Sequence, residues 1–295
     1  MRILHVNHGF PPRYNAGSEV YCRNLAVAQR QHHDVAVFAR EEDPYRPDFA
    51  LRQVEEEGLP VHLANMPRSQ HRYQHDALDS AFESVVSTMR PDVIHFHHLN
   101  HLSLGLPKVA SASGAAVVFT VHDFWLACPR GQLVQWAVSA EEPWKLCEGQ
   151  ADLRCAQACY ARCQSGTPAR GDADVAYWSG WVADRMRAAT KALDSIHALV
   201  CPSRTVANSL TKRFPNLTPR LLLHDYGFPA CPRVERRPGP FTFGYIGTHV
   251  PPKGVDRLIR AFRTIIGDVR LSIWGRHLGQ ATDALRRLAA EDPRI

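Results

Sequence analysis

Arg2-Ile-Leu-His-Val-Asn-His-Gly-Phe-Pro-Pro-Arg-Tyr-Asn-Ala-Gly-Ser-Glu19 decides the fold class. A short apolar run, Arg2 to Val6, ends at Asn7-His8-Gly9, as a buried parallel strand does when it runs out into a loop. The loop carries Pro11, Pro12, Ala16 and Gly17. Ser18 is placed as a helix N-cap, and Val20, Leu25 and Val27 continue at helical spacing. Strand, loop and helix in that order form the unit from which doubly wound sheets are built.

The unit repeats along the chain. Strands are expected at Asp34–Phe38, Asp92–Phe96, Ala115–Val121, His197–Cys201 and Arg220–His224, about six in the first sheet with the opening one. Helices are expected at Asp76–Met89, Leu104–Ala112, Asp174–Leu193 and Ser203–Phe214. After a proline-dense stretch the alternation restarts, with strands at Phe241–Ile246 and Val269–Trp274 and helices at Gly254–Ile266 and Gly279–Ala290. This pattern specifies α/β architecture with two Rossmann-like domains, the second incomplete because two strands cannot cover both faces. The boundaries follow: residues 1–228 with a cysteine-rich insertion at 124–171, a linker at 229–240, and a partial second domain at 241–295.

Composition narrows the class. Hydrophobic residues are 45% of the 295, enough for a sizeable core, and no apolar run approaches the ~20 residues of a membrane-spanning helix. The start is too short and too broken by His8, Pro11 and Pro12 for a signal-peptide core, so the expected compartment is the cytoplasm. The net charge of +6 is diffuse, with no run of five basic residues, which argues against nucleic acid as a partner.

In open α/β sheets, ligands bind beyond the carboxyl ends of the strands. There the sequence places Gly17 at a helix start, His95-Phe-His97-His98-Leu-Asn-His101, and Val121-His122-Asp123-Phe-Trp125. His97, His122 and Asp123 are candidates to bind a polar substrate; metal ligation by the four clustered histidines is the less favoured reading. In the second half, Gly244-Tyr-Ile-Gly247-Thr-His-Val-Pro-Pro-Lys253-Gly254 sets a lysine where a helix begins, a pairing suited to a diphosphate.

Taken together, Pro-Pro…Ala-Gly-Ser-Glu, Asp-Val-Ile-His-Phe-His, Val-His-Asp-Phe-Trp, Pro-Ser-Arg-Thr-Val and Gly-Tyr-Ile-Gly…Lys-Gly-Val-Asp-Arg-Leu resemble glycosyltransferase family 4. Val121-His-Asp-Phe-Trp-Leu-Ala-Cys-Pro-Arg-Gly-Gln132 is similar to a subgroup with a cysteine-bearing insertion. The resemblance implies a GT-B enzyme, two Rossmann-like domains facing a cleft, which moves a sugar from a nucleotide diphosphate sugar to a glycan or lipid-linked acceptor with retention and without a cofactor. It implies that Gly17 lies against donor phosphates or acceptor, that His122 contacts the transferred sugar, that Ser203 sits in the cleft, and that Gly247 and Lys253 hold the diphosphate. His122 and Lys253 are the expected catalytic pair. Thr248 stands where the family often has Arg, and the family's two-glutamate motif has no counterpart before Ile295. A catalytically incomplete module and a sugar-nucleotide epimerase of the same fold stay open as alternatives.

Five of the eight cysteines, Cys128, Cys147, Cys155, Cys159 and Cys163, fall in the insertion. The spacing of the last three is that of one helical stripe. Four of the five are expected to hold a structural zinc ion, with buried free thiols as the rival reading. Trp178 and Trp181 among basic residues raise peripheral contact with the inner membrane face as a minor expectation; a core-facing helix is the preferred one.

Overall fold

The computed structural model describes residues 1–66, 73–136, 144–160, 169–235, 238–250 and 253–295. The chain divides into two compact units, Met1–Pro229 and Ala230–Ile295.

The first unit is built on an eight-stranded sheet of order β10-β9-β6-β5-β1-β2-β4-β3. Its strands are β1 (Arg2–Asn7), β2 (Asp34–Glu41), β3 (Leu51–Glu56), β4 (Leu59–Asn65), β5 (Val93–Phe96), β6 (Ala116–Thr120), β9 (Ala198–Cys201) and β10 (Leu221–Leu223). All pair in parallel except β3, which pairs antiparallel with β4 at the sheet edge. The β3–β4 hairpin raises the expected six strands to eight. It turns through Glu57 and Gly58, both at positive φ, and β3 alternates exposed and half-buried residues as an edge strand with one wet face does.

Helices α1 (Gly17–Gln29), α2 (Asp76–Met89) and α3 (Leu106–Ala112) connect the early strands. Helix α2 buries Leu78, Phe82, Val85 and Val86 on one stripe and carries Asp76 and Asp79 in its first turn, where the helix dipole favours negative charge. It ends at Arg90 in the left-handed conformation, and Pro91 bars its continuation. Ser18 is not the cap of α1. Ala16 holds that position with extended backbone, and the Ser18 hydroxyl donates instead to Glu19 at 2.9 Å.

Within the insertion lie the hairpin β7 (Val134–Trp136) and β8 (Trp144–Leu146), the short helix α4 (Asp152–Arg154) and a π-helical turn, Cys155–Tyr160. Cys155 and Cys159 both fall in this π turn, and Cys163, the third residue of the expected stripe, lies outside the described residues. The long helix α5 (Gly171–Asp194) follows. Its Trp178 is buried in the main core and Trp181 packs against that core, so these aromatic anchors face inward. Arg185, 1% exposed, donates to the Trp125 carbonyl at 2.6 Å with its guanidinium 4.0 Å over the Trp125 ring, which ties α5 to the turn after β6. Helix α6 (Arg204–Arg213) precedes β10. Among the described residues no helix is long and apolar enough to cross a membrane.

In the second unit β11 (Phe241–Ile246) and β12 (Val269–Trp274) pair in parallel, and α7 (Val255–Phe262) and α8 (Gln280–Ala289) follow them in turn. Val255, Ile259, Phe262 and Leu271 form its small core.

Candidate functional site

Strand order reverses around β1, which has β2 on one side and β5 on the other. Such a switch point leaves a crevice beyond the strand ends, because the connections on either side leave in opposite directions. Register brings the polar residues there. His5 on β1 is level with His95 on β5, and His95 with Val118 on β6. Past these levels, at the carboxyl ends of the three strands, stand Asn7-His8, His97-His98 and His122-Asp123.

The imidazoles form a chain running from the buried sheet to the crevice. His5 Nε2 lies 2.8 Å from Gln29 Oε1, and His5 Nδ1 lies 3.0 Å from His97 Nε2. His97 Nδ1 lies 3.4 Å from His122 Nε2, and His122 Nδ1 lies 2.8 Å from the Tyr226 hydroxyl. His95 stacks on His97 at 4.4 Å and bonds Thr120 Oγ1 at 2.8 Å. Tyr21 packs against His97, His122 and Tyr226 with ring centroids 5.7, 5.2 and 4.8 Å away. Burial drives His5 and His122 down to about 4, and His95 and His97 well below the usual histidine value, so all four rings are neutral at pH 7.

A second, charged layer flanks the chain. Glu19, 3% exposed in the first turn of α1, lies 3.1 Å from His8 Nε2. Burial alone would push the pKa of the Glu19 carboxyl up, but hydrogen bonds from His8 and Ser18 hold it down at about 2. His98 and Asp123 pair at 3.3 Å, and the rings of His8 and His98 meet edge to face at 4.5 Å. Asp123 also accepts from the Trp125 backbone N–H at 2.8 Å, which sets the turn after β6. Two buried nitrogens at the end of β1, Asn7 Nδ2 and His8 Nδ1, have no partner among the described residues. A buried polar atom without a partner is costly, and here both belong to the residues that end β1 at the crevice.

The expected site residues therefore separate. His97, His122 and Asp123 come together, although His97 is fully buried with both ring nitrogens engaged and meets the crevice through His122. Gly17 opens α1, with open space where a side chain would stand. Ser203 is exposed and caps α6, accepting from the Val206 N–H at 3.3 Å. In the second unit, Gly247 donates its N–H to the Trp274 carbonyl at 3.0 Å, and exposed Lys253 immediately precedes Gly254, the left-handed N-cap of α7. His8, Glu19, Tyr21, Gln29 and Tyr226 are site residues that sequence reasoning missed. Glu19 directly follows the Ala-Gly-Ser motif and was the most accessible of them.

Three imidazoles, His5, His95 and His97, have ring nitrogens within 4.8 Å of one another, a spacing compatible with an ion. The hydrogen bonds to Gln29, His97, His122 and Thr120 already engage those nitrogens, so the cluster reads as a hydrogen-bonded array. Cys128, Cys147, Cys155 and Cys159 line a common cavity of about 20 Å³. Burial pushes the Cys155 thiol up to about 11, with the other three thiols adding to the shift. Four of the five expected zinc ligands thus line one cavity, and Cys163 lies outside the described residues.

A parallel sheet with a polar crevice at its switch point, followed by a second strand–helix unit, defines a GT-B type protein. The chain belongs to Glycosyltransferase Family 4, whose description matches residues 15–222. Solved structures agree on the fold. The catalytic domain of starch synthase IV from Arabidopsis thaliana, bound to ADP and acarbose, superposes with a TM-score of 0.55 at 16% identity, over 98% of this chain and 71% of that one. An α,α-trehalose-phosphate synthase (UDP-forming) from Burkholderia xenovorans in complex with glucose-6-phosphate gives 0.50 at 10% identity, over 99% and 70%. No curated protein matches the chain.

Proposed function

We propose that this protein transfers a sugar from a nucleoside diphosphate sugar to a hydroxyl of a glycan or lipid-linked acceptor, with retention of anomeric configuration. The observation that supports this most is the convergence of His8, His98, His122 and Asp123 at the crevice beyond β1, β5 and β6, in a chain of this family. The neutral imidazole of His122 suits a sugar hydroxyl, because it exchanges a hydrogen bond with no charge to desolvate.

In this reading Lys253 and the N-terminus of α7 hold the diphosphate. The ammonium and the unpaired helix N–H groups stabilise negative charge as the sugar–phosphate bond breaks. Gly17 leaves room at the start of α1 for phosphate or acceptor, and no step calls for a cofactor. Starch synthase IV with ADP and the synthase described as UDP-forming supply the analogy for a nucleoside diphosphate donor.

The test is a panel of UDP, GDP and ADP sugars, read first as binding by thermal shift and then as nucleotide release and transfer. Binding and transfer with at least one donor is the expected result, and Lys253→Ala should weaken nucleoside diphosphate affinity about tenfold or more, as loss of one charge-assisted contact does. Unchanged affinity in that variant would remove Lys253 from the role. Binding without turnover would favour the catalytically incomplete module.

A further inference from the structure

We propose that Gln29 is a positioning residue that fixes the proton on His122 at Nε2, so that His122 offers the crevice a bare Nδ1 and accepts from a hydroxyl. Both claims concern the tautomer of the free protein; the identity of that hydroxyl as a sugar's rests on the function proposed above.

A neutral imidazole carries one ring proton, so one nitrogen donates and the other accepts. The amide oxygen of Gln29, at the C-terminal end of α1, faces His5 Nε2 at 2.8 Å and can only accept. The His5 proton therefore sits on Nε2, and His5 Nδ1 is bare. His97 must donate to that nitrogen through its Nε2–H, at 3.0 Å. This leaves His97 Nδ1 bare to accept from His122 Nε2–H at 3.4 Å. His122 Nδ1 is then a lone pair, and the Tyr226 hydroxyl donates to it at 2.8 Å. Burial holds the Tyr226 phenol up at about 12, so it keeps the proton that this last bond uses. Reversing any link would leave two donors or two acceptors facing each other across a buried contact.

The consequence is selective. A group replacing the Tyr226 hydroxyl on His122 must bring a proton. A sugar hydroxyl does so, whereas an ionised phosphate oxygen brings only lone pairs and would meet Nδ1 as a second acceptor. Thus His122 reads a hydroxyl and leaves the phosphates to other residues. The array also explains why a polar amide stands at the last position of α1, 24 positions from His5 in sequence.

Long-range ¹⁵N–¹H spectra of the full chain labelled at histidine test this, with His122 assigned by its loss in His122→Asn. The expected pattern is a protonated Nε2 and a bare Nδ1 at His5, His97 and His122. A protonated Nδ1 at His122 in the wild type would overturn the proposal, whatever the behaviour of any variant. Gln29→Leu, which removes the fixed acceptor, should convert His122 to a mixture of both tautomers, and Gln29→Glu, which only accepts, should restore the single form. A single unchanged tautomer in Gln29→Leu would remove Gln29 from the role. Titration with inorganic phosphate should leave the His122 Nδ1 signal in place; a shift at that nitrogen would overturn the hydroxyl preference. These readouts need no turnover, so a protein with the expected tautomers and no transferase activity would count against the proposed function alone.

Discussion

The hydroxyl of Tyr226 sits 2.8 Å from Nδ1 of His122, and the two rings stack at 5.4 Å and 21°. The family resemblance assigns His122 to the transferred sugar, yet both of its ring nitrogens are occupied, one by His97 and one by Tyr226. A ligand hydroxyl must displace the phenol. Tyr226→Phe keeps the stacked ring and removes the competitor. It should cost about 1 kcal/mol of stability, the net value of one hydrogen bond, while lowering KM for the sugar donor. Calorimetry and steady-state kinetics together check this; a raised KM with unchanged stability would show that the phenol assists binding.

Acid should destabilise the protein before its carboxylates titrate. His5, His101 and His122 are held at about 4, against 6.5 when exposed, with burial the first cause in each. Above pH 6.5 both folded and unfolded chains carry these rings neutral, so they add no pH dependence. Below it the unfolded chain takes up protons that the folded chain refuses, so stability falls as pH drops from 6.5 towards 4. Each ring removes on the order of 1–3 kcal/mol across that window. Melting temperatures measured from pH 7.5 to 4.5 should fall steadily through it, and a flat profile would show that the rings can ionise in place.

The alternation of strands and helices was legible because buried parallel strands such as Val93–Phe96 are short apolar runs and helices such as Asp76–Met89 carry a clear buried stripe. The β3–β4 hairpin escaped because Arg52, Glu55 and Glu56 give its edge strand the polarity of a loop. His122 and Asp123 could be read off a strand end. Gln29, His5 and Tyr226 could not, since sheet register and a contact spanning 104 positions bring them to His97 and His122. The π turn at Cys155–Tyr160 left no mark in the sequence, because the four-residue spacing of Cys155 and Cys159 reads equally well as an ordinary α-helix.

Glu19 gives a further prediction. Its carboxylate is almost wholly buried and accepts from His8 and Ser18. Its folded value of about 2 lies below the usual 4.5, so its contribution is complete above pH 4.5 and is lost as pH falls through 2. Glu19→Gln should remove roughly 1–3 kcal/mol at pH 7, the worth of hydrogen bonds to a charged group. For a unit of this size each kcal/mol lowers the melting temperature by roughly 2–4 °C. A variant that melts with the wild type would mean that His8 and Ser18 find equal partners elsewhere.

In the second unit, Gly275 follows β12 directly, and a methyl group there would run into the Gly247 carbonyl and come within 2.6 Å of His249 Nε2. The Gly247 N–H is in turn bonded to Trp274. Backbone on one side and a buried ring on the other leave no flexible group to give way. Gly275→Ala must therefore shift the loop after β11, the same loop that leads to Lys253. The small core of Val255, Ile259, Phe262 and Leu271 has little stability to spare. Limited proteolysis should show faster cleavage within Ala230–Ile295 while Met1–Pro229 keeps its wild-type rate, and nucleoside diphosphate affinity should fall with it. Equal cleavage of both units, or wild-type affinity, would show that the loop tolerates the methyl and that the Gly247–Gly275 approach does not shape the Lys253 segment.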